Sequence, residues 1–146
     1  MYRKVLVPLD GSKRAECALS EVRHLAKGNF VGEVLLVHVI ETNWGAFSES
    51  AHTPVLKWAQ REKAHIYLNY IKKRLLSEGI HAKLDLLEGR PAQAIVSYAK
   101  QNDVNLIIIA TRGYTGMKQF VLGSVALSVL HDNHGPVLLI RSEECD

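Results

Sequence analysis

Val104-Asn105-Leu106-Ile107-Ile108-Ile109-Ala110-Thr111-Arg112-Gly113 is the stretch on which the fold turns. Its first seven residues are the most apolar run of the chain. A β-branched run of this continuity reads as a strand, Val104 to Ala110, covered by helices on both faces. Such a strand belongs at the centre of a parallel sheet, and the glycine-bearing segment after it is a loop at the strand's C-terminal end.

Working outward, Val5-Leu6-Val7-Pro8-Leu9 reads as the first strand. Ser12 can cap a helix whose apolar positions Ala15, Ala18, Leu19, Val22, Leu25 and Ala26 share one face, with Gly28 and Asn29 at its end. Glu33 to Ile40 is a nearly continuous apolar second strand. Residues Glu41 to Thr53, with Trp44 and Phe47, show neither period and form a long loop: a lid, a partner contact or a tolerated insertion. Pro54 opens a helix reaching about Glu78, with Ala64, Tyr67, Leu68, Ile71 and Leu75 as its buried stripe and Gly79 as its stop. Ala82 to Leu87 alternates Lys83 and Asp85 with Leu84 and Leu86, the pattern of an outermost strand. Pro91 starts a short helix, Ala92 to Gln101. A last helix ends near His131, and Pro136 to Ile140 is a fifth strand.

Five strands, four helices and right-handed crossovers give one α/β domain over residues 1–142, an open doubly wound parallel five-stranded sheet, with 143–146 as a frayed tail. The first and fourth strands should be neighbours at its centre, where the winding reverses and ligands bind.

Composition excludes several classes. The 146 residues are 47% hydrophobic and 23% charged, ordinary for a compact globular domain. The longest apolar run, Leu106 to Ala110, is far short of a membrane span, and the N-terminus runs into a strand pattern without a signal-peptide core, so a cytoplasmic location is expected. The net charge of +3 comes from 18 basic and 15 acidic residues spread along the chain, and Lys72-Lys73-Arg74 reads as a solvated helix face. Nucleic-acid binding would want a clustered basic footprint. Cys17 and Cys145 make neither a disulfide framework nor a metal spacing. His131 and His134 suit a helix C-terminus better than a metal, and no histidine pairs in sequence with a nucleophile.

Two turns carry chemistry. Pro8-Leu9-Asp10-Gly11-Ser12 puts a carboxylate between a strand end and a helix start, where it can accept from ribose hydroxyls or simply cap the turn. After the fourth strand, Ala110-Thr111-Arg112-Gly113-Tyr114-Thr115-Gly116 leads to Gly123-Ser124-Val125 at a helix start. Glycines let backbone approach a phosphate, the free N–H groups donate to it, and Ser124 and Arg112 add a hydroxyl and a fixed charge. Neither GxxxxGK[ST] nor GxGxxG is present.

The spacing Ala110-x2-Gly113-x9-Gly123-Ser124 resembles the G-x2-G-x9-G-[S/T] pattern of ATP-binding members of the universal stress protein family, with Ala110 in place of the first glycine. The likeness extends to Lys4-Val5-Leu6-Val7-Pro8-Leu9-Asp10-Gly11-Ser12, Leu36-Val37-His38-Val39 and Gly135-Pro136-Val137-Leu138-Leu139-Ile140. It implies strand order 3-2-1-4-5 and an adenine nucleotide, ATP with ADP and AMP as alternatives, which magnesium can accompany. Pro8, Leu9 and Asp10 would flank the adenosine, the Val39 backbone would meet adenine, and Gly113, Gly123, Ser124 and Val125 would cradle the phosphates. Alanine at 110 needs only an ordinary negative φ, so the site is expected to survive the exchange.

The resemblance also implies a homodimer through the last strand, Val137, Leu138, Leu139 and Ile140, an apolar edge without Pro or Lys. The function expected is a nucleotide-binding stress-response sensor or regulator acting through its dimer or partner surface. A slow ATP hydrolase and a nucleotide-free scaffold are the alternatives. No activating partner for a base or nucleophile is evident beside Asp10 or Ser124, so turnover is expected to be weak at most.

Overall fold

The computed structural model describes residues 1–42, 54–111 and 123–142. In chain order these form β1 (Tyr2–Pro8), α1 (Lys13–Glu16), α2 (Ala18–Lys27), β2 (Val31–Glu41), α3 (Pro54–Ser77), β3 (Ala82–Gly89), α4 (Pro91–Gln101), β4 (Leu106–Thr111), α5 (Ser124–Asp132) and β5 (Val137–Arg141). The strands make one sheet of order β3-β2-β1-β4-β5, every neighbouring pair parallel. The alternating strand is outermost and the first and fourth adjoin, as expected.

Because successive strand residues face opposite ways, β1, β2 and β4 divide their apolar side chains between two cores. Val5, Val7, Val34, Leu36, Leu106 and Ile108 pack against α2 and α3, while Leu6, Leu35, Val37, Ile107 and Ile109 pack against α4 and α5. Burial on both faces is why these three strands read as continuous apolar runs.

Helix ends follow from local chemistry. Gly79, at φ +81, ends α3 with Ile80 N–H reaching back to Leu75 O at 2.9 Å. The same closure ends α2, where Phe30 N–H meets Leu25 O, and α4, where Val104 N–H meets Ala99 O. There the left-handed residues are Asn29 (φ 59) and Asp103 (φ 54), so Gly28, at φ −86, is not the turning residue of α2.

Two expectations change. The first helix divides at Cys17 into α1 and α2, giving five helices among the described residues instead of four. Cys17 N–H and Ser20 N–H both bond three residues back, a local tightening that apolar periodicity does not report. Cys17 is also buried and disulfide-bonded, against the reading of no disulfide; sequence spacing gave no sign that α2 packs beside β5. The other cysteine, Cys145, the tail 143–146, and the loop expected over Glu41 to Thr53 from residue 43 onward lie outside the described residues.

Candidate functional site

The β1–β4 ladder registers only Val5 with Leu106 and Leu6 with Ile107, whereas β1 stays paired with β2 as far as Pro8 and Val37. Asn105 pins the amino end of that junction: its Oδ1 accepts from Lys4 N–H and its N–H donates to Lys4 O, both at 2.9 Å. At the carboxyl ends the two strands are released from one another. A cavity of about 240 Å³ occupies that crevice.

Pro8, Leu9, Asp10, Val39, Ala110, Gly123, Ser124 and Val125 all line this cavity, so eight of the ten residues singled out in the sequence converge. Arg112 and Gly113 lie outside the described residues. The walls also include Arg14, Glu41, Pro91, Ile95 and Thr111, which sequence reasoning missed. A signal was available: in a parallel sheet every strand-to-helix turn emerges at the same edge, so Pro91 at the first position of α4 belongs beside the other two turns.

The first turn is tightly held. Leu9 N–H donates to Val37 O at 2.8 Å, and His38 Nδ1 lies 2.8 Å from Leu9 O. A carbonyl can only accept, so Nδ1 carries the proton in this tautomer. Asp10 Oδ1 accepts from Ser12 N–H at 2.9 Å and from the Ser12 hydroxyl at 2.5 Å, and Ser12 Oγ accepts from Ala15 N–H at 3.1 Å. Ser12 is thus the cap of α1 and Asp10 braces the turn before it, with Gly11 supplying the required φ of +88. Asp10 remains exposed, and its Oδ2 has no hydrogen bond among the described residues.

The start of α5 is built differently. Gly123 is its cap, no side chain among the described residues satisfies the first N–H groups, and the first turn holds no acidic residue. Gly123 has an ordinary φ of −60, and a Cβ there would meet no atom of the described residues within 4 Å. Neither its conformation nor packing against the described residues demands glycine at this position. What remains is open space beside free donors and the positive end of a helix dipole, which suits an anion.

Buried Ile95 and Ile109 supply an apolar floor. A second cavity of about 320 Å³ shares Asp10, His38, Val39 and Glu41 and extends to Lys63, Ala64 and Tyr67 of α3. Burial first, then the neighbouring Glu16 carboxylate, raise the Tyr67 phenol above its ordinary range, and its hydroxyl donates to Glu16 Oε2 at 3.1 Å. That cavity is larger but has no helix N-terminus in its wall. Among the described residues, no group of three His, Cys, Asp or Glu side chains is placed to hold a metal ion, and no helix is long and apolar enough to cross a membrane.

The chain matches the Universal stress protein family over residues 1–141. Universal stress protein MJ0531 of Methanocaldococcus jannaschii is 30% identical over 142 residues, 97% of this chain and 83% of that protein. Among solved structures, MJ0577 of the same organism, a hypothetical protein whose structure served to assign its biochemical function, superposes with a TM-score of 0.81 at 33% identity, covering 99% of each chain. A universal stress protein from Archaeoglobus fulgidus, solved in complex with dAMP, shares the fold with a TM-score of 0.66 at 24% identity, over 95% of this chain and 98% of that one. The strand order and a match along nearly the whole sequence agree, and the chain belongs to the universal stress protein family.

Proposed function

We propose that this protein binds an adenine nucleotide in the crevice between β1 and β4 and serves as a nucleotide-dependent sensor or regulator in a stress response. The observation that carries the reading is the single cavity shared by Asp10, Val39 and the uncapped start of α5 at Gly123-Ser124. Adenine lies over Ile95 and Ile109 against the Val39 backbone, and the ribose hydroxyls donate to Asp10. The phosphates accept from the first N–H groups of α5 and from the Ser124 hydroxyl. The cavity's 240 Å³ falls just below the roughly 300 to 1,000 Å³ of small-molecule pockets, so it takes the nucleoside and leaves the phosphates toward solvent. A family member described as a dAMP complex supports the same ligand class. Magnesium comes with the nucleotide rather than from a protein ligand set.

Turnover is weak at most in this reading, because Asp10 already holds Ser12 and no described residue activates a water or hydroxyl at the phosphate end. Occupancy acts through surfaces, including a homodimer across the free edge of β5, Val137 to Ile140, and the setting is cytoplasmic. The test is the melting temperature with saturating Mg-ATP against Mg-GTP. A ligand at 100 times its dissociation constant adds about 2.7 kcal/mol, a rise of roughly 5–15 °C for a chain of this size. A rise with ATP alone supports the reading; no rise at millimolar ATP removes it and implicates Ala110.

A further inference from the structure

Helix α3 carries apolar residues on two opposite faces. Ala64, Leu68, Ile71 and Leu75 face the sheet and are buried. Val55, Trp58, Ile66, Tyr70 and Leu76 point the other way and are between 51% and 75% exposed. In the first half of the helix the usual arrangement is inverted: Lys57 and Arg61 are turned toward β3, bonded to Glu88 at 3.5 and 2.9 Å, while Val55 and Trp58 are presented to solvent. Five such side chains expose on the order of 600 Å², near the roughly 800 Å² that each partner contributes to a standard interface.

The outer face has its own pattern. At 3.6 residues per turn, Val55, Glu62, Ile66 and Lys73 fall along one line, with Trp58 and Leu76 together on one flank. Glu62 and Lys73 are exposed and have no ion-pair partner among the described residues. We propose that this face pairs with a second copy of the chain, two α3 helices lying antiparallel about a two-fold axis midway between Ile66 and Asn69. That register sets Glu62 of each copy against Lys73 of the other and brings Trp58 across from Leu76, so charge and apolar surface are satisfied in the same arrangement. The surface is separate from the β5 edge and from the nucleotide cavity, and the inference does not depend on either.

A zero-length carbodiimide crosslink read by mass spectrometry on the full chain tests it. Within one copy Glu62 and Lys73 are three helical turns apart, roughly 16 Å along the axis, so a bond between them forms only across two chains. The expected result is a Glu62–Lys73 crosslink in the dimer band. In sedimentation, Glu62→Lys should weaken association at this face by at least about tenfold, and the double exchange Glu62→Lys with Lys73→Glu should restore it. Both positions are exposed, so neither exchange threatens folding. Absence of that crosslink, or association unchanged in Glu62→Lys, overturns the proposal and leaves the face to a different protein.

Discussion

At the start of α1 the chain satisfies its own donors: Ser12 Oγ accepts from Ala15, and Asp10 holds both the N–H and the hydroxyl of Ser12. At the start of α5, across the same cavity, Gly123 contributes nothing to the donors and the first turn lacks an acid. Among the described residues, one helix end is closed by protein and the other is left open. In the proposed reading, the nucleotide's phosphates are the partner of the open end. The largest expected effect comes from closing it. Gly123→Asp should cap α5 and stabilise the free protein slightly, by a few tenths of a kcal/mol, because Asp outranks Gly as a cap. The new carboxylate then occupies the phosphate position, and nucleotide affinity should fall on the order of 100-fold by titration calorimetry. A variant that is more stable yet binds ATP as before would show that the open end is not the phosphate site.

Asp10 gives the next test, because it serves both the turn and the proposed ribose contact. Asn keeps an acceptor for Ser12 and removes the charge. Asp10→Asn should leave the unfolding free energy within about 0.5 kcal/mol of the parent while weakening nucleotide binding about tenfold, as a charge-assisted hydrogen bond becomes a neutral one. A loss of stability with unchanged affinity would assign Asp10 to the turn alone.

Ser12→Ala opens the closed end instead. It should cost about 1 kcal/mol in chemical denaturation, the usual worth of an N-cap, and change nucleotide affinity less than threefold. If affinity falls with stability in proportion, the two helix ends are coupled through the turn rather than finished independently.

The same contrast explains how much the sequence disclosed. The sheet was legible because β2 and β4 are apolar on both sides and β3 alternates, patterns that depend on burial and need no knowledge of neighbours. Asp10, Gly123 and Ser124 were legible because their chemistry is local to a turn. Pro91, Ile95 and Thr111 were not, since only the crossover of α4 and the sheet register carry them to the cavity. The outward stripe of α3 was hidden for a related reason. Periodicity found the buried face, Ala64 to Leu75, but it gave no weight to Trp58 and Ile66 on the opposite side. The pairing of Lys57 and Arg61 with Glu88, distant in sequence, decides which way the first turns face.

The smallest effect comes from an ion pair far from the cavity, which serves as the reference for the others. Arg23 Nε lies 2.6 Å from Glu78 Oε2, joining α2 to the residue just beyond α3, and the guanidinium holds the Glu78 carboxyl below its ordinary range. A lowered folded pKa means the contribution is complete above the ordinary carboxylate value of 4.5 and is lost as pH falls through the lowered one. The Glu78 side chain is 38% exposed, so solvent and salt limit the pair to less than about 1 kcal/mol. Glu78→Gln should therefore lower the melting temperature by a degree or two at most, on the order of 0.5 kcal/mol at neutral pH. The gap from the parent should narrow below pH 4.5, shrink in high salt, and leave nucleotide affinity untouched. A gap that widens on acidification would mean that Glu78 is stabilised by something other than Arg23.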